Sequence, residues 1–249
     1  MKFRPFLEKL AEINELKTID KEVDWNLEVA AISTKSFELG GPALHFKKIK
    51  DYPECSMITG FLAGPQLSHV SHPPFRGRKP WSRIAVAMGL DPAVLYTEFL
   101  DTYITRMNQP IKPLEVKTGP CKEVVLKGKD VNILKFPIPF LHKNDGGRYG
   151  SGIVIVKDPE TGWQHWGWYR WMVKDKNTLV GNFPENSPLR KIYEKYEAQN
   201  KPMPFCIVLG AEPVAMVASM MPLPEGADVP GIAGGLQLDP IELVPAETS

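Results

Sequence analysis

Trp163-Gln164-His165-Trp166-Gly167-Trp168-Tyr169-Arg170-Trp171 carries four of the six tryptophans in this 249-residue sequence. Taken as a β-strand, it sends alternate side chains to opposite faces. Trp163, His165, Gly167, Tyr169 and Trp171 share one face, and Gln164, Trp166, Trp168 and Arg170 share the other. Two readings of the run are open. Aromatic side chains dominate cores and interfaces, so it suits a bulky barrel core with an interface. A glycine among large rings also leaves room for a flat ligand, and a guanidinium among aromatics calls for a carboxylate or phosphate that fits its planar fork. In both readings the segment is a strand, and the second half of the molecule is built around a sheet.

Outward from this strand, β-rich runs at Val116, 123–126, 133–136 and 153–157 are separated by turn residues at the intervals of a barrel or sandwich. A helix over 188–199 interrupts them. A strand over 205–209 and a short buried element over 214–219 follow. Before residue 115 the character differs. Phe6, Leu7, Leu10 and Ile13 recur at spacings of three and four among Glu and Lys, the pattern of an amphipathic helix ending near Asn14. An extended piece over 19–23 leads to a helix over 26–37, closed by Gly40-Gly41-Pro42. Short strands are predicted at 43–46 and 56–59, a loop over 62–80, and helices over 82–88 and 93–107 with Asp91 as cap and Pro92 at the first helical position. The reading is α+β: an α/β domain over 1–115, then a barrel-like β domain over 116–249.

Composition narrows the function classes. The sequence is 43% hydrophobic and 24% charged, with 30 Lys and Arg against 29 Asp and Glu, so a packed core is expected and a basic stripe for nucleic acid is not. No apolar stretch approaches a membrane span, and the N-terminus lacks the apolar region of a signal peptide, so a cytoplasmic protein is expected. Cys55, Cys121 and Cys206 are odd in number and widely spaced, which suits reduced thiols better than a disulfide framework or a paired zinc site.

Other stretches have chemistry open to them. Asp145-Gly146-Gly147-Arg148-Tyr149-Gly150-Ser151-Gly152 is a glycine-rich turn before a strand, either an ordinary hairpin turn or a backbone cradle for an oxyanion with Ser151 beside it. Ser219-Met220-Met221-Pro222-Leu223-Pro224-Glu225-Gly226-Ala227-Asp228 combines a buried approach, a rigid proline turn and two carboxylates, although turn chemistry alone accounts for Pro224-Glu225-Gly226. His69 and His72 flank Ser71 in the loop, with no carboxylate or cysteine cluster to complete a metal site. No nucleophile elbow is present, and no cysteine has a local base.

Taken in order, several of these segments resemble the UbiD family of prenylated-flavin-dependent decarboxylases. The resemblance begins at Phe6-Leu7-Glu8-Lys9-Leu10, Val23-Asp24 and Glu28, and continues through Gly41-Pro42-Ala43-Leu44-His45-Phe46 and Arg83-Ile84-Ala85-Val86-Ala87-Met88-Gly89-Leu90. It extends over Asp145 to Gly152, Asp158-Pro159-Glu160-Thr161-Gly162, Tyr169-Arg170, Met203-Pro204-Phe205, Leu209-Gly210-Ala211-Glu212-Pro213 and Ala233-Gly234-Gly235. It implies an N-terminal α/β domain and a split β-barrel flavin domain, with the family's C-terminal domain absent from this chain. It also implies prenylated FMN as the electron sink for an aromatic or α,β-unsaturated carboxylic acid, and a flavin prenyltransferase to supply it. Arg170 matches the arginine that orients the substrate carboxylate, and Ser151 the hydroxyl residue near the flavin phosphate. His165, Trp166, Gly167, Trp168, Tyr169, Met221 and Pro222 match segments that line the cofactor.

The same resemblance exposes departures. The family's divalent ion, Mn or Mg with K beside it, uses an Asn, a His and a Glu. The matching positions here are His165, Pro188, and Val229 or its neighbour Asp228. Proline has no donor, which leaves His165 with Asp228 as a substitute pair, or no site. The two glutamates that act with the arginine fall after residue 249, so the proton donor is expected from elsewhere. Because the sequence stops within a strand and turn at Leu243-Val244-Pro245, it reads as a fragment or one half of a split enzyme, with a second decarboxylase subunit or a homo-oligomer completing it. The alternative is a noncatalytic flavin-binding or assembly subunit; a flavin reductase of the split-barrel type leaves Arg170 and the proline turn without a duty.

Overall fold

The computed structural model describes residues 1–64 and 79–247, so His69, Ser71 and His72 lie outside the described residues. The chain divides into two compact units. One comprises Met1–Asp101, Gly128–Gly150 and Met172–Val180, and the other Thr102–Lys127, Ser151–Trp171 and Gly181–Ser249.

In the first unit, α1 (Phe3–Glu12) buries Phe6 and Leu10, one turn apart on the same face. It gives way at Asn14, which takes the left-handed φ of 58° that asparagine tolerates. β1 (Leu16–Val23) then pairs in parallel with β2 (Ala43–Ile49), and α2 (Glu28–Glu38) makes the crossover, as a parallel pair requires. Gly40, at φ 62°, ends that helix, and Pro42 keeps it from resuming. β3 (Met57–Thr59) returns antiparallel to β2. Val23, Val29, Leu44, Phe46 and Ile49 form the core of this layer. At its edge, α3 (Ser82–Ala87) buries Arg83, which is 2% exposed. A buried guanidinium must be paired. Arg83 Nη2 lies 2.8 Å and Nε 2.9 Å from Glu15 Oε2, and Nη1 and Nη2 donate to the carbonyls of Gly41, Gly60 and Ala63.

α4 (Tyr96–Met107) begins three residues later than the sequence predicts. Asp91 Oδ1 accepts from the Ala93 amide at 2.7 Å, and the Trp81 indole donates to the Val94 carbonyl at 2.9 Å, which together hold 91–95 in a turn. The strands expected at 123–126 and 133–136 are also absent. Val124 to Leu126 are exposed without a partner strand among the described residues. Ile133–Lys135 is a 3-10 turn, because Asn132 caps the Leu134 amide at 3.0 Å and Pro137 supplies no donor for a ladder.

In the second unit, β4 (Leu114–Glu115) pairs in parallel with β9 (Glu242–Leu243). A four-stranded sheet, whose strands draw residues from both units, combines β5 (Arg148–Lys157), β6 (Gln164–Val173), β7 (Leu179–Gly181) and β8 (Phe205–Val208) in the order β7-β6-β5-β8, with β5 and β8 antiparallel. This is an open sheet. Between β5 and β6 the chain reverses on Asp158, whose Oδ1 accepts from the Glu160 and Thr161 amides at 2.8 and 3.2 Å, an Asx turn. Lys195 on α5 (Pro188–Ala198) clamps that turn at 2.7 Å from Asp158 Oδ2. α5 packs Leu189 and Ile192 against Val154 and Val156 of β5. α6 (Pro213–Ser219) and α7 (Val229–Gln237) are buried along almost their whole length. The architecture is therefore a mixed α and β fold. Among the described residues, no helix is long and apolar enough to cross a membrane.

Candidate functional site

The N-terminal half of β6 lines a cleft of about 350 Å³ together with the connection from α6 to α7. That volume falls in the range of small-molecule and cofactor sites. One wall is Trp163, His165, Trp166, Gly167, Trp168 and Tyr169; the other is Ser219 to Pro224 with Ala227, and Pro188 and Val229 close the ends. Each wall is fixed by local chemistry. The Trp163 indole donates to the Ala227 carbonyl at 2.9 Å and so ties strand to loop. α5 starts with Ser187 Oγ accepting from the Arg190 amide at 3.2 Å and Pro188 in the first turn, where proline loses no hydrogen bond. α7 starts in the same way, with Asp228 Oδ1 accepting from the Gly231 amide at 3.1 Å.

Across the wall, His165 Nε2 and the Tyr169 hydroxyl lie 2.9 Å apart and share a hydrogen bond. Gly167 sits between them on the same face. A Cβ there would lie 2.7 Å from His165 Nε2 and closer still to the Tyr169 ring. The room expected over Gly167 for a flat ligand is thus taken by its own neighbours: the two rings lean inward to reach each other, and glycine is what lets them. Burial pushes His165 down to about 4, so the imidazole is neutral near pH 7. Burial also raises the Tyr169 phenol, offset in part by hydrogen bonds from Ser187 and the Leu189 amide at the start of α5. The result is a neutral polar post in an otherwise aromatic and aliphatic cleft.

The cleft brings together His165, Trp166, Gly167, Trp168, Tyr169, Met221 and Pro222. Arg170 and Ser151 stand elsewhere, exposed on β6 and β5 and outside the lining of this cleft. Asp228 is exposed and caps α7. Ser187 was not singled out from the sequence, although Ser-Pro ahead of an apolar helical pattern is a cap signature that marks it.

Comparison with known proteins identifies the family. The family described as the 3-octaprenyl-4-hydroxybenzoate carboxy-lyase N-terminal domain matches residues 7–103, and the Rift-related domain of the same carboxy-lyase matches residues 112–249. The chain belongs to the UbiD family. Among UbiD relatives, a pyrrole-2-carboxylic acid decarboxylase of Pseudomonas aeruginosa is 33% identical over 99% of this chain and 49% of its own length. Ferulic acid decarboxylase 1 of Saccharomyces cerevisiae is 30% identical over all of this chain and 50% of its own length. In structure, the vanillic acid decarboxylase ShVdcCD of Sedimentibacter hydroxybenzoicus in its closed form superposes with a TM-score of 0.88 at 28% identity, over 99% of this chain and 50% of that one. The UbiD-class enzyme HmfF of Pelotomaculum thermopropionicum in complex with FMN gives 0.84 at 27% identity, over 99% and 51%. The chain spans about half the length of these relatives.

Of the positions that the resemblance assigns to the divalent-ion ligands, His165, Pro188 and Val229 line this cleft, and Asp228, the alternative to Val229, does not. Pro188 and Val229 carry no donor, and Asp228 Oδ1 accepts from the Gly231 amide. Among the described residues no group of three or more His, Cys, Asp or Glu is placed to hold a metal ion. The residues present do not fit the family's ion.

Proposed function

We propose that this chain is the flavin-holding part of a UbiD-type decarboxylase acting on an aromatic or α,β-unsaturated carboxylic acid, with prenylated FMN as its cofactor. The observation that carries the reading is the cleft itself: seven residues matched to the family's cofactor-lining segments, from β6 and from the Met221-Pro222 turn, converge there. Its aromatic walls suit a planar ring system, and its few polar groups suit orientation. Bound there, the prenylated flavin supplies the electron sink for the carbon that loses CO₂. The protein's own share is positioning. Trp166 and Trp168 provide apolar surface that excludes water, and the His165–Tyr169 pair provides a fixed hydrogen-bonding edge. In this reading Arg170 pairs with the substrate carboxylate in a bidentate fashion, which fixes the scissile bond without moving a proton.

The test is co-production with a flavin prenyltransferase and the native downstream coding region, followed by native mass and absorption spectra and a panel of aromatic and cinnamic-type acids. Prenylated flavin on the protein with CO₂ release from an acid supports the proposal, and Trp168→Ala is expected to lower flavin occupancy. A flavin-free protein under these conditions overturns it. Bound flavin without turnover on any acid favours a noncatalytic assembly subunit, the reading to which the replaced ion-ligand positions lend weight.

A further inference from the structure

From the same cleft we infer that this protein takes its phosphorylated flavin without a divalent cation, a deepening that rests on the function proposed above. Four observations carry it. The positions where the family places its ion ligands do converge here, so the site has been kept as a cavity while its donors have changed. Pro188 cannot coordinate, and it begins α5. Val229 is buried at 3% exposure in the first turn of α7, an aliphatic side chain in the place of a carboxylate. Of those three positions only His165 keeps a ligating side chain, and its Nε2 is engaged at 2.9 Å with the Tyr169 hydroxyl.

A divalent cation needs several hard oxygen or imidazole donors whose lone pairs are free and convergent, and a single engaged imidazole beside aliphatic groups does not meet that need. The Tyr169 hydroxyl occupies His165 Nε2 within β6 itself, so the imidazole is held by its own strand. Asp228, at the start of α7, is exposed and lies outside the lining of the cleft, where its Oδ1 accepts from the Gly231 amide.

The experiment uses the purified protein with its native downstream coding region, stripped of metal. Titration with Mn²⁺ alone, read from the electron paramagnetic resonance of the free ion, is expected to show no bound Mn²⁺ up to about 1 mM; a site with a Kd under about 100 μM overturns the inference. FMN titration by fluorescence quenching, in EDTA and then in excess Mn²⁺, is expected to give dissociation constants within about twofold of each other; a gain of about tenfold or more with Mn²⁺ overturns it. Should FMN fail to bind under both conditions, the proposed function falls, while the Mn²⁺ titration still decides the question of the ion.

Discussion

Arg170 stands exposed on a strand whose neighbours are aromatic, and nothing in the packing of that strand requires a guanidinium there. Its assigned duty is toward substrate, which makes a clean prediction. Arg170→Ala leaves flavin occupancy and the unfolding midpoint unchanged and lowers decarboxylation by about 10³-fold or more, and Arg170→Lys recovers little because the bidentate fork is lost. Equal turnover in Arg170→Ala, measured as CO₂ release, would remove the residue from the mechanism. His165 predicts a different behaviour. Its native pKa lies at about 4, against an ordinary 6.5, because burial disfavours the imidazolium. Between those two values the unfolded chain binds more protons than the folded one, so His165 contributes stability above about pH 6.5 that is lost as the pH falls toward 4. His165→Gln abolishes that contribution. The gap between the urea midpoints of parent and variant should therefore narrow, or reverse in the variant's favour, as the pH is lowered from about 7.5 to about 4.5. A gap that does not change with pH would mean that the ring stays wet and titrates normally.

At the level of elements, the cleft depends on how three segments begin and end. α5 is set by Ser187, whose Oγ accepts from the Arg190 amide at 3.2 Å. Ser187→Ala is expected to cost about 1 kcal/mol in urea unfolding, with Ser187→Asp recovering most of it, since either side chain caps the helix. A loss of a few tenths or less would show the cap to be idle. Boundaries of this kind were partly visible in the sequence, and where they were not, the reason is identifiable. The α5 range was legible because Pro188 and the spacing of Leu189 and Ile192 are local signals. Gly40 and Pro42 likewise marked the end of α2. By contrast, Val124 to Leu126 and Ile133 to Phe136 have strand composition, yet strand formation needs a partner edge that composition does not encode, and Asn132 supplies a competing local cap. In the cleft, β6 and the Met221-Pro222 turn were legible as aromatic and turn motifs. The closing of His165 onto Tyr169 over Gly167 was not, because it depends on side-chain tilt rather than on strand alternation.

On the scale of the whole chain, the least local feature is the pairing of β4 with β9, which joins residues near 114 to residues near 242. No periodicity in two-residue strands announces it. Its hydrogen bonds run from the Leu114 amide to the Ile241 carbonyl at 2.9 Å and from the Val116 amide to the Leu243 carbonyl at 2.8 Å, and Ile241 is only 3% exposed. Glu247 adds contacts to Lys122 and Lys127 at 2.8 and 2.7 Å, which hold its carboxyl down at about 2, but these groups are substantially solvated and salt screens them. The apolar anchor should outweigh the ion pairs. Deleting residues 240–249 exposes the Leu114 and Val116 amides and removes Ile241. Burying an isoleucine is worth about 1.5–3 kcal/mol and each of the two backbone hydrogen bonds about 1 kcal/mol, so a loss of about 4 kcal/mol is expected in urea unfolding. Glu247→Gln should leave the midpoint almost unmoved, and the small difference should vanish in high salt. If the deletion proves harmless while Glu247→Gln destabilises strongly, the ends of this unit are held by charge. If the deletion alone destabilises, they are held by an isoleucine and two strand residues more than a hundred positions away from their partners.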